Sequence, residues 1–368
     1  MDTTLKYVPI FRVRQQEVIV LKSFDFHDRI YPCLEIIKEI DRLPAKPRNG
    51  SKTVPKPQKK FEEVYLPLIA SIKAKKVFID LPVHLKSVRG MKTETATFLR
   101  SVVIKRQQRT DYIKKFGPVA SKVIPVISTY FNIDNERGSI SLQEADLRPI
   151  FNVLAFRTFR NSFNNDIAQV TLIARACDYV IMDWEDSLLD NEDEELQEIT
   201  EKLKTLKCTV IIHRNPIPKN ITNVGLVHGA VIESINNNLV DKYAEFSGSC
   251  FSDYSGIKKD NIESGGGISP GFIYYDATKN IFYGYKGQVK NLKEFERTIV
   301  PAVIQSDASR RMKRHIVDFL GDENVGWKIL IDISQGDEPG RSAAKFKRIG
   351  MEHYLHCLKS RIGNGDFE

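Results

Sequence analysis

Acidic side chains directly follow three of the short apolar runs in this sequence. Glu35 follows RIYPCL, Asp80 follows KKVFI and Asp183 follows DYVIM. A carboxylate at such a position must meet a cation, a metal ion or water, because leaving it unpaired in an apolar interior costs several kcal/mol. His213 ends the run CTVIIH and is the type of side chain that exchanges a proton near neutral pH. These four residues are therefore the candidate catalytic groups.

Arginines occupy equivalent places, at Arg12, Arg157 and Arg214. A guanidinium group donates two parallel hydrogen bonds, which suits phosphate and carboxylate ligands. The arginines are therefore candidate ligand-binding residues, and a phosphorylated or nucleotide-like ligand is the expected one. Three outcomes stay open: the acidic and basic side chains neutralise one another, the arginines clamp an anionic ligand, or the carboxylates hold Mg²⁺ or Ca²⁺.

Short apolar runs separated by helix-like stretches must position these side chains. Eight such runs cover 7–13, 29–36, 75–82, 122–128, 153–159, 178–186, 208–214 and 248–256. This pattern predicts an α/β fold, a TIM-barrel-like (β/α)₈ barrel whose strands end at one mouth. The side chains expected to converge there are Arg12, Glu35, Asp80, Arg157, Asp183, His213 and Asp253.

The predicted barrel spans 1–256, with a mobile Lys- and Pro-rich insertion at about 43–60. Residues 257–368 form a predicted C-terminal extension, an aromatic hairpin turned at ATKN followed by helices, packed on the barrel. The glycine-rich stretch 265–271 lacks the spacing of phosphate-binding loops and is interpreted as a plain loop. The pattern also predicts one long helix over 94–116. For 229–234 a helix start, a ninth strand and the eighth barrel strand all remain open, although 248–256 is preferred as the closing strand.

Composition excludes several protein classes. The chain has 368 residues, 42% of them hydrophobic, which suffices for a large core. No apolar stretch approaches the roughly 20 residues of a membrane span, and the first residues do not resemble a secretory signal. Five cysteines without CxxC spacing indicate a reducing compartment without a disulfide framework. We therefore expect a cytoplasmic protein.

The net charge of +8 is unevenly distributed. Residues 183–201 contain about ten acidic side chains and no lysine or arginine, whereas 46–60, 100–115 and 309–315 are basic. The simplest interpretation is solvated helix faces and a flexible loop. Two alternatives are contact between the acidic run and a basic protein partner, and nucleic-acid binding by the basic segments, which would weaken steeply with salt.

Motifs along most of the chain, in a shared order, resemble the phage-type beta protein family. They include YVPIFRVRQQE, RIYPCLEI, VFIDLP, VIPVIS, FRTF, YVIMDW, FSDYSG, the hairpin YYDATKNIFYGYKG and RIGMEHYLHCL. In FSDYSG, the resemblance makes Asp253 and Tyr254 candidate ligand-binding residues. The sequence departs from the family pattern at four positions, where glycine, two arginines and an adjacent histidine are usual: Ser252, Tyr274, Lys286 and His356.

The resemblance implies a genetic role. The family is encoded largely by phages, satellite phages and bacterial mobile elements, and similar members are associated with anti-phage defence and with neutralising a neighbouring toxic gene product. It carries no established catalytic activity. The expected function is therefore defence or toxin control through a protein partner encoded nearby. The alternatives are a metal-dependent phosphodiesterase or nucleotide hydrolase using Glu35, Asp80 and Asp183, with Mg²⁺ as a possible cofactor, and a nucleic-acid-binding protein.

Overall fold

Eight parallel strands close into a barrel. The computed structural model describes residues 1–39, 59–85, 90–129, 137–190, 192–259 and 269–367, and within these ranges each barrel strand pairs with the next along the chain, the last with the first. The predicted TIM-barrel-like fold is therefore confirmed. Most of the predicted insertion at 43–60 and residues 265–268 of the glycine-rich stretch lie outside the described residues.

All eight predicted runs contain a barrel strand. The barrel strands are β1 (Tyr7–Arg12), β3 (Cys33–Glu35), β5 (Val77–Asp80), β6 (Val123–Ser128), β7 (Ala155–Phe159), β8 (Tyr179–Asp183), β9 (Thr209–His213) and β11 (Cys250–Asp253). The smaller sheets contain β2 (Asp25–His27), β4 (Lys73–Ala74), β10 (Ala230–Val231), β12 (Gly271–Asp276) and β13 (Ile281–Lys286). The ambiguous stretch 229–234 supplies β10, which pairs with β13, so the preference for 248–256 as the closing strand is confirmed.

Helices connect the strands and cover the outside of the barrel. In the described residues they are α1 (Gln15–Ser23), α2 (Phe61–Ser71), α3 (Thr93–Ile104), α4 (Arg106–Lys114), α5 (Ser139–Leu147), α6 (Phe163–Ile173), α7 (Glu194–Lys204), α8 (Leu239–Lys242), α9 (Val300–Ile304), α10 (Asp307–Arg314), α11 (Val325–Gln335) and α12 (Ala343–Gly363). A π-helical turn, Phe295–Ile299, precedes α9.

Successive residues of each strand point alternately into the barrel and toward the helices. Val8, Ile10, Cys33 and Phe78 belong to an inner apolar cluster, while their neighbours in sequence pack in a second cluster with the helices. Because both faces are buried, the strands are apolar throughout, as in other parallel sheets. The same alternation decides which polar residue at each strand end faces the inside.

The prediction of one helix over 94–116 is wrong. Residues 93–114 form two helices, separated at Lys105, whose backbone is extended (φ −114°, ψ 95°). The buried Arg109 guanidinium donates to the carbonyl oxygens of Val102 (2.6 Å) and Val103 (2.9 Å). These carbonyls lie at the end of α3, where helical partners are missing, so the arginine replaces bonds that a continuous helix would make.

The C-terminal hairpin and α12 contact the barrel. β12 and β13 pair antiparallel around residues 277–280, as predicted. From α12, Tyr354 donates a hydrogen bond to Asp253 (2.5 Å) at the end of β11, and Tyr7 of β1 donates to the same carboxylate (2.6 Å). His353 bonds through Nε2 to the Tyr275 carbonyl (2.8 Å). Tyrosine and histidine side chains thus join the C-terminal extension to the barrel and to its own hairpin.

Replacement of Tyr354 by Phe is expected to lower the free energy of unfolding by about 1–2 kcal/mol. The buried Asp253 carboxylate would lose one of its two hydroxyl donors, and a buried acceptor that lacks a hydrogen-bond donor destabilises the fold. Tyr243→Phe is the matched control, because no hydrogen bond of the Tyr243 hydroxyl is present in the described structure. Chemical denaturation measures both; equal losses would argue against a specific role of the Tyr354 hydroxyl.

Candidate functional site

Polar side chains meet inside the barrel where the strands end. The structure brings together six of the seven residues expected to converge, Arg12, Glu35, Asp80, Arg157, Asp183 and His213, and adds Tyr254. Strand register accounts for this: Arg12 pairs with Glu35, which pairs with Asp80 on the next strand. On the other side, Asp183 pairs with His213. All seven side chains are buried.

The Arg157 guanidinium lies at the centre of this cluster. Its Nε and Nη2 donate to Asp183 Oδ2 at 3.0 and 2.6 Å, and its Nη1 donates to Glu35 Oε1 at 3.1 Å and to Asp80 Oδ2. Burial opposes the charged form of Arg157, but Asp183 and Asp80 hold its pKa well above the ordinary value. One buried cation therefore joins carboxylates from three strands.

Glu35 receives further donors. Arg12 Nε donates to Glu35 Oε2 at 3.0 Å and the Tyr254 hydroxyl donates to Oε1 at 2.8 Å. His84 Nε2 lies 3.4 Å from the same Oε1. Burial disfavours the ionised form, yet Arg12, His84 and Arg157 together hold the pKa of Glu35 well below its usual value. Glu35 is therefore ionised at neutral pH.

The three carboxylates differ in their titration. Burial, aided by Glu35 and opposed by Arg157, raises the pKa of Asp80 to about 6. Burial acts in the same direction on Asp183, but His213 and Arg157 outweigh it and hold the pKa of Asp183 below its ordinary value. Asp80 is therefore the carboxylate that can exchange a proton near neutral pH.

His213 has a defined tautomer. The Ser252 hydroxyl donates its proton to the Val8 carbonyl at 2.6 Å, so His213 Nδ1, 2.9 Å from Ser252 Oγ, must carry the proton of that second bond. Burial lowers the pKa of His213 to about 4, against the opposing effect of Asp183, and the imidazole is neutral at pH 7. Its Nε2 is therefore a lone-pair acceptor, 3.8 Å from Asp183 Oδ1.

Two expected members of the site lie elsewhere. Asp253 follows Ser252, so strand alternation turns its side chain outward to Tyr7 and Tyr354. Arg214 follows His213 and likewise leaves the interior; its guanidinium donates to the carbonyls of Ser187 and Asn236, both at 2.7 Å. The expectation that Asp253 converges with the others is wrong, and the candidate ligand-binding residue Arg214 also lies outside the cluster, because each lies one residue from an inward-facing position.

Two residues of the site escaped the sequence interpretation. His84 lies four residues after Asp80, and its side chain, 3% exposed, contacts the Phe159 ring at 5.3 Å. Lys259 is 6% exposed and its ammonium lies 5.1 Å from the centre of the Tyr254 ring. Both residues follow a barrel strand by a few positions, and this placement after a strand is the sequence feature that could have identified them.

Several buried polar atoms of this site have no hydrogen-bond partner in the described part of the chain. They are Asp80 Oδ1, His213 Nε2 and His84 Nδ1. The Lys259 ammonium also has no ion pair or hydrogen bond among the described residues. Buried polar groups in folded proteins are nearly always satisfied, so these atoms mark a place where water or a ligand binds.

A metal site has less support. Among the described residues no group of three or more His, Cys, Asp and Glu side chains could hold a metal ion. The physical reason is that the Arg157 guanidinium occupies the position between the three carboxylates where a cation would bind. Of the three outcomes left open by the sequence, mutual neutralisation accounts for most of the charge.

Backbone strain accompanies the site. Glu185, two residues after Asp183, has φ +53°, and Ser255, next to Tyr254, has φ +55°. Both are held by side chains of the preceding strand end, since Glu185 N–H donates to Asp183 (2.8 Å) and Ser255 N–H donates to Asp253 (2.7 Å). Non-glycine residues with such left-handed backbone angles cost conformational energy, and they concentrate at functional sites.

Comparison with known proteins agrees with the resemblance. The family model described as Beta protein matches residues 7–358, nearly the whole chain. The chain belongs to this family. Membership in the Beta protein family is compatible with a phage-related protein. No match was found among curated proteins. In the part of the chain that the structure describes, no helix has the length and apolar character needed to cross a membrane.

Replacement of Asp183 by Asn is expected to lower the free energy of unfolding by about 3 kcal/mol or more, since Arg157 would lose the charge of its doubly bonded acceptor. The pKa of Asp183 lies below 3.8 in the folded protein, so this loss should be constant between about pH 5 and pH 8. Urea denaturation at several pH values measures it.

Asp80→Asn is the matched comparison and should behave differently. The folded-state pKa of Asp80 is raised from 3.8 to about 6, so its stabilising contribution is complete below pH 3.8 and lost as pH rises through about 6. Relative to the unmodified protein, Asp80→Asn should therefore gain stability as pH rises from about 4 to about 7, by up to about 3 kcal/mol. Parallel pH profiles for the two variants would contradict this assignment.

Proposed function

We propose that this Beta family protein is a component of phage defence or toxin control that acts in the cytoplasm through a protein partner. Its barrel mouth would bind a phosphorylated or nucleotide-like ligand that reports the state of the cell or of the partner. The observation that carries the proposal is the pair of buried strand-end atoms without a hydrogen-bond partner among the described residues, Asp80 Oδ1 and His213 Nε2, together with the buried Lys259 that follows β11. A sensing role needs binding without turnover, and it requires no metal.

The acidic segment, defined as the described part of 183–201, is the proposed partner surface. In α7, Leu196, Ile199 and Leu203 are buried against the barrel, so the acidic side chains face outward. Glu194, Glu198 and Glu201 are among the exposed ones. A surface of this kind attracts a basic protein partner and accelerates its association.

This surface connects directly to the site. Trp184 follows Asp183, and the Arg160 guanidinium lies 5.8 Å from the centre of its ring. Arg160 also pairs with Asp193 (2.8 Å) and Glu195 (2.6 Å) in the acidic segment. A ligand that shifts the end of β8 would therefore also move the proposed partner surface. This contact supports coupling between ligand binding and partner binding.

Free thiols are consistent with the proposed cytoplasmic location. The five cysteines form no disulfide, and four of them are buried: Cys33, Cys208, Cys250 and Cys357. A reducing compartment maintains such thiols.

The test is co-expression with the product of the neighbouring gene. Charge reversal by Glu194→Lys, Glu198→Lys and Glu201→Lys is expected to weaken co-purification by about tenfold or more and to abolish protection in phage plating of cells carrying the locus. The matched control is charge reversal of the exposed Lys313 and Arg314, which lie in a basic segment. This variant should retain both co-purification and protection. A protein that remains solitary, or equal effects of both variants, would overturn the partner proposal.

A phosphoester hydrolase is the second candidate. Asp80, with a pKa of about 6, and the neutral His213 are suited to general acid and base roles near neutral pH. Hydrolysis of bis(4-nitrophenyl) phosphate and of nucleotides, with and without Mg²⁺ or Mn²⁺, tests this reading. Loss of turnover in Asp80→Ala would support it, and unchanged turnover would remove Asp80 from the mechanism.

Nucleic-acid binding has less support from the basic segments. Arg109 is buried, with hydrogen bonds to the end of α3, and Arg106 pairs with Asp146 at 2.5 Å, so part of the basic run 100–115 serves the fold. Binding whose affinity falls steeply with added salt would revive this alternative.

A further inference from the structure

The unpartnered atoms of the barrel mouth define the hydrogen-bonding character of what binds there. His213 Nε2 is an acceptor, since Nδ1 carries the ring proton and donates to Ser252. Asp80 Oδ1 is a second acceptor, because Arg157 bonds only to Oδ2 of this carboxylate. Both side chains are at least 99% buried. Two fixed acceptors require a ligand that presents hydroxyl or amino donors.

A lysine lies next to Tyr254. The Lys259 ammonium is 5.1 Å from the centre of the Tyr254 ring, and the Arg12 guanidinium is 5.6 Å from the same ring. Arg157 is bonded to three carboxylates and Arg214 points out of the barrel to two carbonyl groups, so Lys259 replaces them as the expected anchor of an anionic group. Asp183 and Glu35 attract the Lys259 ammonium, but no described residue forms an ion pair or hydrogen bond with it, so its donors remain available to an anionic group.

We infer that the barrel mouth binds a phosphorylated sugar, with the phosphate against Lys259 and sugar hydroxyl groups donating to His213 Nε2 and Asp80 Oδ1. This inference rests on the proposed function and specifies its ligand. A free sugar phosphate and a nucleotide share this chemistry. Inorganic phosphate lacks the sugar hydroxyl groups, and ribose alone lacks the anionic group.

Titration calorimetry of the full chain tests the ligand class with four probes. Ribose 5-phosphate is expected to bind at least about tenfold more tightly than ribose or inorganic phosphate, because both halves of the site are used. Adenosine 5′-monophosphate distinguishes the two sources: tighter binding than ribose 5-phosphate indicates a nucleotide, and weaker binding indicates a free sugar phosphate. Absence of binding by both phosphorylated sugars would overturn the inference.

Two histidine variants test the acceptor role. His213→Asn keeps an amide donor near the position of Nδ1 for Ser252 but has no acceptor near Nε2, and it should weaken ribose 5-phosphate binding by about tenfold or more. His213→Gln can place an amide oxygen near Nε2 and should retain most of the affinity. Equal affinities of the two folded variants would contradict the assignment.

Adjacent lysines test the anion anchor. Lys259→Met should weaken ribose 5-phosphate binding by about tenfold or more while leaving the weak binding of ribose unchanged. Lys258→Met is the matched control, because the Lys258 ammonium donates to the Ile221 carbonyl (2.6 Å) and is not part of the site. Equal loss in both variants would overturn the role of Lys259. These measurements use the purified protein alone, so their outcome is independent of partner capture and phage plating.

Discussion

A single buried guanidinium group holds the carboxyl end of the barrel together. Arg157 donates hydrogen bonds to the carboxylates of Glu35, Asp80 and Asp183, which come from strands far apart in sequence. None of these charges could remain in the interior alone, since an unpaired buried ion costs several kcal/mol. The cluster therefore constrains the strand register: a shift by one residue would turn each charged side chain toward the helices.

Neutralisation of the cluster also limits what the site can do. Three carboxylates arranged around a guanidinium are poor ligands for a divalent cation, because the guanidinium already occupies the position between them. Among the described residues, the atoms that the cluster leaves without a hydrogen-bond partner are one oxygen of Asp80 and Nε2 of His213, and Lys259 lies beside Tyr254. A binding role with selective hydrogen bonds follows from this division more readily than metal-assisted hydrolysis.

Departure from the family pattern has a structural consequence at Ser252. The family usually has glycine there, whereas in this chain the serine hydroxyl fixes the tautomer of His213 and bonds to β1. The side chain of the following residue, Asp253, points outward instead and accepts hydrogen bonds from Tyr7 and Tyr354. Adjacent residues of β11 thus serve the interior site and the attachment of the C-terminal helix.

The sequence by itself determined the barrel. Apolar runs ending in polar residues located all eight strands, because local periodicity reports strand burial directly. Only the tertiary structure decided which polar ends meet. Asp253 and Arg214 each follow an inward-facing residue by one position, so their side chains point away from the interior. A sequence pattern that locates a strand end only to within one residue cannot decide between the two faces. His84 and Lys259 reach the site from segments after the strands, where no periodicity constrains the chain, so their positions depend on packing between distant elements.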